Sequence, residues 1–392
     1  MAFLIFFGVV LIIYLLGNYY IFMRGLQAIP AGSVFRPYYV WIFWLLAATY
    51  VAGRILENIY LSTTSDVLVW TGSFWLGAML YFFLIVILFD LLRMVNHFLP
   101  FFPALIVNNM EKARLFAFAG TVVLVGVVLT AGHINTLYPR VKTLEISIPG
   151  KTAGKTNQID AVLVSDIHLG SLIGTRHLNR IIEQVDTLRP DIVLLAGDIL
   201  DEDLGPVIRK NAGETLRRLD APLGVYGIMG NHEHIGGSAA AEEYLKAGGI
   251  RIIRDSVVRI ADSFYLIGRD DRDKARFGGQ PRKSLGELVS MADHDFPLIL
   301  MDHQPFYLEK ASRLGIDLQL SGHTHHGQLW PLNYITEAIY ALSYGYKKMN
   351  GMHTYVTNGV GTWGPPIRVG NRPEIVHIKM RFGKEADKKE AD

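Results

Sequence analysis

The chain contains no cysteine, which excludes disulfide bonds and thiolate metal sites but does not identify a compartment. The chain also lacks a marked excess of charge of either sign, because 38 Lys and Arg against 36 Asp and Glu leave a net charge of +2. Nothing in that balance indicates a nucleic-acid partner. Long hydrophobic runs are nearly absent from residues 140–392 and are concentrated in residues 1–134. The sequence therefore divides into an apolar part and a part with the charge density of a water-soluble domain.

Four segments of the apolar part exceed the roughly 18–20 apolar residues that are needed to cross a bilayer. They lie at about residues 2–23, 38–60, 67–92 and 114–134. The first lacks a positively charged start and is too long for a cleaved signal peptide, so we expect it to be retained. The sequence thus predicts a four-helix transmembrane region over residues 1–134, with the protein in the cell (inner) membrane.

The distribution of Lys and Arg predicts the orientation of these spans. The first and third loops carry five basic residues, which are Arg24, Arg36, Arg93, Lys112 and Arg114. The second loop has only Arg54 at its margin, and the N-terminal end has none. Loops one and three are therefore expected in the cytoplasm, which places the soluble domain outside it.

Four polar residues lie within or near the spans: Arg54, Glu57, Asp90 and His97. Such residues can mark a transport path or a pocket for a lipid headgroup. The simpler interpretation is local pairing, since Arg54 and Glu57, like Asp90 and Arg93, are one helical turn apart.

In the soluble part, residues 135–157 are predicted as a linker, residues 158–382 as a domain and residues 383–392 as a charged tail. Strand-like runs at 159–165, 192–196 and 225–229 alternate with helical patterns at 175–188, 208–219 and 238–247. This alternation predicts an α/β sheet. Further short strands at 250–254, 257–260 and 263–267 indicate a second sheet, and buried runs at 298–301, 318–320, 355–357 and 375–380 complete the domain.

Five separated fragments follow strand-like runs and carry metal-binding groups. They are Asp166-Ile167-His168, Gly197-Asp198-Ile199-Leu200-Asp201, Gly230-Asn231-His232-Glu233, His303 and Gly322-His323-Thr324-His325. Together they supply enough oxygen and imidazole donors for two metal ions that share one carboxylate. Mixed oxygen and imidazole donors suit Mn, Fe or Zn better than Ca or Mg. Two metals bridged in this way hydrolyse phosphate esters.

These fragments, in this order and without a missing ligand, resemble the signature of the calcineurin-like metallophosphoesterase superfamily over about residues 158–380. The preceding spans make the chain similar to the membrane-attached bacterial phosphohydrolases of that superfamily. The resemblance implies an α/β/β/α sandwich and two divalent metal ions, with Mn favoured. It implies that Asp166, His168 and His325 hold one ion, that Asn231, His303 and His323 hold the other, and that Asp198 bridges both.

The resemblance also implies that His232 faces the substrate and either protonates the leaving oxygen or stabilises the transition state. Glu233 is expected to orient His232 and to favour its charged form. Asp201 is expected to support metal-bound groups through a hydrogen bond. Gly197, Gly230 and Gly322 are expected to let the backbone approach the metals closely.

Two segments are candidates for substrate selection. Residues 268–283 carry six basic side chains that could clamp a phosphate or pair internally with the three carboxylates of the segment, and Arg272 is the candidate contact there. Residues 327–349 are aromatic, apolar and basic, which suits either a segment on a bilayer or a lid on the domain's own core. Trp330, His326 and Arg368 are further candidates for substrate contacts, although a solvated His326 is the simpler interpretation.

The sequence predicts a membrane-integral phosphohydrolase that cleaves a phosphate ester or pyrophosphate by attack of a metal-bridging hydroxide. Because four spans are more than an anchor needs, a lipid-linked or envelope substrate at the membrane surface is favoured. The expected partners are the bilayer and that substrate, and no nucleic acid is expected. One alternative is a tethered phosphodiesterase for soluble nucleotides, and another is a membrane sensor or transporter whose metal domain only binds a ligand.

The orientation gives a test that is independent of catalysis. Protease added to intact spheroplasts should digest the soluble domain, because an even number of spans returns the chain to the outer side. The digestion is followed with an antibody against the domain, and lysed spheroplasts provide the control. Full protection in intact spheroplasts would overturn the predicted orientation.

Overall fold

The computed structural model describes residues 2–152, 154, 156–278 and 280–383, so residues 384–392 of the predicted tail lie outside the described residues. Contacts divide the chain into two compact units. The first contains Met1–Ile134 together with Gly364–Ile367, and the second contains Asn135–Trp363 together with Arg368–Asp392.

The first unit is helical. Its helices are α1 (Ala2–Ala28), α2 (Phe35–Ile59), α3 (Thr63–Phe98), α4 (Ala104–Val107) and α5 (Met110–Thr136). All of these except α4 are long and apolar enough to cross a membrane by length and composition, which confirms the four predicted apolar helices. The chain is therefore a membrane protein. Helix α3 begins at a capping box, in which Ser62 and Ser65 each accept a hydrogen bond from the other's backbone N–H.

The second unit contains two six-stranded sheets. Their strands are β1 (Arg140–Ile148), β2 (Gln158–Val164), β3 (Ile192–Leu195), β4 (Val225–Gly227), β5 (Arg251–Ile252), β6 (Ser256–Ile260), β7 (Phe264–Gly268), β8 (Leu298–Met301), β9 (Leu318–Ser321), β10 (Gly345–Met349), β11 (Met352–Val356) and β12 (Glu374–Phe382). The first sheet has the order β1-β12-β2-β3-β4-β5, and the second has the order β10-β11-β9-β8-β7-β6.

Helices cover both outer faces of this pair of sheets. They are α6 (Thr175–Leu188), α7 (Leu204–Arg209), α8 (Ala212–Leu216), α10 (Ser238–Ala247), α11 (Leu285–Val289) and α12 (Leu308–Arg313). Two further short helices, α9 (Asn231–Gly236) and α13 (Asn333–Ile339), contribute no residue to the cores beneath these faces. One core lies between the sheets and joins Leu163 of the first to Leu266 of the second. A second core packs α6 on the first sheet, and a third packs α11 and α12 on the second. These layers confirm the α/β/β/α sandwich.

The predicted linker is wrong in part, because residues 135–157 include strand β1. This strand pairs in parallel with β12 over nine residues, from Arg140 opposite Glu374 to Ile148 opposite Phe382. Only Ile146 and Ile148 of β1 are buried, so the strand has a weak hydrophobic pattern. Its partner follows more than 200 residues later, and no local pattern reveals such a pairing.

The single helix predicted over residues 208–219 is also wrong, because the chain forms α7 and α8 there. Asn211 between them has a left-handed backbone with φ of 51°, which ends the first helix and redirects the chain. Asn tolerates that conformation better than most residues do, so Asn211 is a sequence signal for a break between two helices. The helical spacing of the apolar residues around it hid that signal.

Candidate metal centre

The candidate metal-binding residues follow directly after strands of both sheets. Asp166 and His168 follow β2, Asp198 follows β3, and Asn231 follows β4 in the first sheet. In the second sheet His303 follows β8, and His323 and His325 follow β9. Strands β2, β3 and β4 are mutually parallel, as are β8 and β9, so the carboxyl ends within each set meet at one edge. The structure brings six of these seven side chains, all except that of Asn231, into two adjoining groups.

The first group contains Asp166, His168 and His325, whose ligand atoms all lie within 4.8 Å of one another. The Nε2 atoms of His168 and His325 are 3.0 Å apart, and His325 Nε2 is 3.6 Å from Asp166 Oδ1. All three side chains are buried. The nitrogen and oxygen lone pairs of these three side chains are so close that they repel one another unless a cation or protons lie between them.

The second group contains Asp198, His303 and His323, again with ligand atoms within 4.8 Å of one another. Asp198 Oδ2 is 3.0 Å from His303 Nε2, and the same oxygen is 3.9 Å from His168 Nε2 of the first group. Asp198 thus lies at the junction of the two groups, where one carboxylate could bind two cations.

Burial decides the protonation of three of the imidazoles. It lowers the pKa of His168 to about 4, with repulsion from His232 adding to the effect, and it lowers the pKa of His323 to about 3. Burial also holds the pKa of His325 well below its usual value. These rings are therefore neutral at pH 7, and only a neutral imidazole offers a lone pair to a metal.

The two carboxylates of the centre differ. Burial raises the pKa of Asp166 to about 6, although His303 acts in the opposite direction. Burial would also raise the pKa of Asp198, but the nearby imidazoles of His303 and His232 outweigh it and hold that pKa well below its usual value. Asp198 is consequently the ionised carboxylate around which the other groups gather.

Close backbone packing fixes the positions of the carboxylates. A Cβ on Gly230 would lie 2.1 Å from Asp198 Oδ1, and a Cβ on Gly322 would lie 2.3 Å from Asp166 Oδ2. Only glycine fits at such approaches, which agrees with the role expected for these positions. Five of the seven candidate ligands have left-handed backbones, at φ between 46° and 73°: Asp166, His168, Asp198, His323 and His325. Residues with side chains rarely adopt this conformation except at functional sites.

The expected role of Glu233 is wrong in detail. Its carboxylate is buried and accepts hydrogen bonds from three backbone N–H groups, those of Asp198, Leu200 and Gly230, so it fixes loops and does not orient His232. The orienting carboxylate is that of Asp201, whose Oδ1 lies 3.1 Å from His232 Nδ1. Burial alone would lower the pKa of His232, but Asp198 and Asp201 outweigh it and raise that pKa to about 9.

Arg368 is a second correction, because its guanidinium is 1% exposed and cannot reach a substrate directly. It donates to the carbonyl oxygens of Asn358 and Gly361, and its Nη2 lies 3.1 Å from His325 Nδ1. A long charged side chain predicts a surface contact, but here the surrounding carbonyl oxygens satisfy the guanidinium internally. Arg368 therefore supports the loop behind His325.

In residues 268–283, internal pairing accounts for most of the basic groups. Arg269 and Arg282 share Asp302, at 2.7 and 2.8 Å. Lys274 pairs with Asp255 and Asp270, and Arg276 pairs with Asp273. Arg272 differs, because within the described residues it pairs with no carboxylate and lies 4.1 Å from the ring centre of Phe306. It remains the candidate anion contact of this segment.

In residues 327–349, helix α13 buries none of its residues. Trp330 is 50% exposed, so it is accessible to a ligand. His326 is half-buried beside the ring of Tyr344, and its Nδ1 is 3.4 Å from Ser343 Oγ. The strand β10 in this segment was not expected, since the glycine and the two adjacent lysines of Gly-Tyr-Lys-Lys-Met conceal a β-hairpin with β11.

Two aromatic residues lie next to histidines of the centre. Trp363, which sequence reasoning missed, lies 5.9 Å from the His232 ring, and Tyr340 lies 6.1 Å from the His323 ring. The only sequence signal for Trp363 is its place in a glycine-rich stretch, Gly359 to Gly364. Glycine-rich loops often bring neighbouring side chains to a site, but that signal does not single out the tryptophan.

Comparison with known proteins identifies the family. Residues 160–327 match the family model described as calcineurin-like phosphoesterase. A metallophosphoesterase from Aquifex aeolicus is 30% identical over 64% of this chain and 94% of its own length. The chain belongs to the calcineurin-like phosphoesterase family.

Two further relatives extend the similarity of this phosphoesterase. One from Campylobacter jejuni, named a metallophosphoesterase, is 27% identical over 97% of this chain and 99% of its own length. A zebrafish (Danio rerio) relative, named a transmembrane protein with metallophosphoesterase domain, is 32% identical over 66% of this chain and 61% of its own length. The Campylobacter match includes the apolar helices as well as the catalytic domain.

The donor set of this phosphoesterase fits the dinuclear metal centre of its family. Asn231 Oδ1 is buried and makes no hydrogen bond within the described part of the chain. An unsatisfied buried oxygen or nitrogen is costly unless a ligand satisfies it. Asn231 lies one residue before His232, whose backbone N–H donates to Asp198 Oδ1, so the loop that carries Asn231 lies against the Asp198 carboxylate.

Gly230→Ala tests the geometry of the shared carboxylate. The added Cβ would meet Asp198 Oδ1 at 2.1 Å, so the carboxylate must move and metal content should fall from about two equivalents to below one. Elemental analysis of the purified full-length protein gives the metal content. Gly286→Ala is the matched control, since a Cβ there meets nothing within 4 Å. Full metal content in Gly230→Ala would contradict the shared site.

Proposed function

We propose that this chain is a membrane-integral phosphohydrolase that uses two divalent metal ions to cleave a phosphate ester or pyrophosphate of a lipid-linked or envelope substrate. The observation that carries the reaction class is the carboxylate of Asp198, which lies at the junction of the two groups of candidate ligands and whose Oδ2 is 3.0 Å from His303 Nε2 and 3.9 Å from His168 Nε2. We assign Asp166, His168 and His325 to one ion and Asn231, His303 and His323 to the other. Mn is favoured because the donors mix oxygen with imidazole.

When bound, two such ions supply Lewis-acid stabilisation of a phosphoryl group and activate water. The chain's own residues then determine the position and proton supply of the leaving group. His232 Nδ1 is held by Asp201, so Nε2 is the nitrogen left to face a substrate. Since the pKa of His232 is raised, its ring holds a proton at pH 7 and can donate it to the leaving oxygen.

An exposed apolar surface beside the centre supports a substrate at the bilayer. Tyr334 and Ile335 of α13 are 61% and 57% exposed, and Trp330 and Trp363 are each at least half exposed. Trp363 touches the ring of His232, so this surface reaches the residue assigned to the leaving group. Exposed apolar patches of this kind are typical of membrane or ligand contacts.

Further parts of the proposal follow from the sequence. The catalytic domain is assigned to the outer side of the cell (inner) membrane, and its partners are the bilayer and a phosphorylated substrate, with no nucleic acid. The alternative is a tethered phosphodiesterase for soluble nucleotides. Arg272 favours it to some degree, because a guanidinium without a carboxylate partner in the described chain could bind a second phosphate.

Asp201→Asn tests the assignment of His232 as proton donor. Loss of the carboxylate leaves the imidazole poorly oriented, so kcat should fall about tenfold to hundredfold for a phosphodiester with an alkyl alcohol leaving group. For a p-nitrophenyl ester the loss should be smaller, because that leaving group needs no proton. Glu202→Gln is the comparison, since Glu202 Oε1 is 3.8 Å from His232 Nδ1, beyond hydrogen-bond reach. Equal losses for both esters would contradict the assignment.

The double variant Tyr334→Ser/Ile335→Ser tests the membrane-surface substrate. Loss of two exposed apolar side chains should raise KM for a phospholipid in vesicles about tenfold or more, while hydrolysis of a soluble aryl phosphodiester stays unchanged. Ile208→Ser, at a 59% exposed apolar residue of α7, is the matched control. If wild type hydrolyses only soluble nucleotides, or if the double variant acts on vesicles as wild type does, the soluble alternative is preferred.

A further inference from the structure

The helical unit contains an open cavity of about 650 Å³ lined by α1, α2, α3 and α5. Its wall is almost entirely apolar and includes Phe43, Leu46, Trp75 and Phe82. Interiors are normally packed to near-crystalline density, and a water molecule occupies only about 30 Å³. An apolar chamber of this size within membrane-spanning helices therefore suits a hydrocarbon chain better than water.

Charged groups line one end of this cavity. Arg24, Arg93 and Arg114 contribute three guanidinium groups there, and Asp90 contributes the one carboxylate among the lining residues. Asp90 is already satisfied, since Arg24 lies 2.7 Å from its Oδ2, Arg93 lies 3.8 Å from its Oδ1, and the Tyr20 hydroxyl donates to it. The local pairing expected for Asp90 and Arg93 thus exists, but Arg24 is the closer partner. A surplus of two positive charges remains at the mouth.

The mouth lies at one end of the spans, and the chamber extends from it between them. Arg24 is near the end of α1, Arg93 is near the end of α3, and Arg114 is near the start of α5, so the three lie on the same side of alternating spans. Along α3 the lining runs from Arg93 back to Trp75, which is eighteen residues of helix or about 27 Å, so the chamber reaches across most of a hydrocarbon core about 30 Å thick.

We propose that this cavity binds one anionic phospholipid, with its phosphate at the three arginines and an acyl chain in the apolar chamber. Charge complementarity selects this occupant, because a zwitterionic lipid brings its own cation to the mouth. Basic pockets between spans on the cytoplasmic side are known to take anionic headgroups. The site lies wholly within the first unit, and it is independent of the dimetal centre and of the proposed function.

Native mass spectrometry of the full-length, delipidated protein in detergent tests this site. Phosphatidylglycerol and phosphatidylcholine with the same chains are added in chelator, which prevents metal-dependent turnover. Wild type should retain one phosphatidylglycerol with about tenfold or greater preference over phosphatidylcholine, as expected for charge-assisted contacts. Equal retention of the two lipids would overturn the proposal without any variant. Glycerol 3-phosphate should not compete, and effective competition by it would indicate an anion site without a lipid chain.

Two matched variants locate the site. Arg93→Gln/Arg114→Gln removes two arginines from the mouth and should abolish the preference for phosphatidylglycerol. Arg36→Gln/Lys112→Gln removes the same charge from the same side of the spans at residues that do not line the cavity, and it should keep the preference. Ala117→Phe should lower retention of either lipid by filling the chamber. Size-exclusion elution and helical circular dichroism establish that each variant is folded. Equal loss in both charge variants would mean nonspecific attraction and would overturn the site.

Discussion

The catalytic domain depends on one constraint, the burial of the ionised carboxylate of Asp198 among other ligands. A buried charge costs several kcal/mol unless nearby groups compensate for it. Here the compensation comes from imidazoles on strands of both sheets, with His303 from the second sheet 3.0 Å from the shared oxygen. The two sheets must therefore meet with their strand ends aligned. The same demand explains why Gly230 has no side chain, since any Cβ would displace that carboxylate.

Glu233 shows how the fold maintains this arrangement. Its carboxylate joins the loop after β3 to the loop after β4 through three backbone N–H groups. Burial, reinforced by Asp198, raises the pKa of Glu233 to about 7. The negative charge of the Glu233 carboxylate is therefore disfavoured at this position, and its three hydrogen bonds hold the side chain there. Left-handed backbones at the neighbouring ligands carry a similar cost, about 1–3 kcal/mol each, which the surrounding sheets must offset.

The sequence was sufficient to predict what depends on local pattern. The four apolar spans, the alternation of strands and helices, and the five ligand-bearing fragments all follow from spacing and residue type. Local pattern failed where the partner is distant or where a polar group is satisfied internally. Strand β1 pairs with a strand at the far end of the domain. The guanidinium of Arg368 donates hydrogen bonds to backbone carbonyl oxygens, and no sequence motif predicts those contacts. The sequence also could not show that Asp201, and not Glu233, orients His232. Glu233 is next to His232 in sequence and Asp201 is next to it in space, so only the structure shows which carboxylate contacts the ring.

The same division explains why reaction chemistry is easier to infer than specificity. The groups that would hold metals are buried, mutually dependent and fixed by close contacts, so few arrangements of residues satisfy them. Trp330 and Trp363 are exposed and Arg272 is partly exposed, and these three side chains are held by ring contacts or by their loops. The packing of the fold depends little on these three side chains, so substitutions at these positions should leave the sandwich intact. Under the proposed function, selectivity would depend on the side chains that the fold constrains least, and a substrate with an apolar chain would gain affinity from the exposed surfaces of Trp330 and Trp363 because those surfaces are otherwise in water.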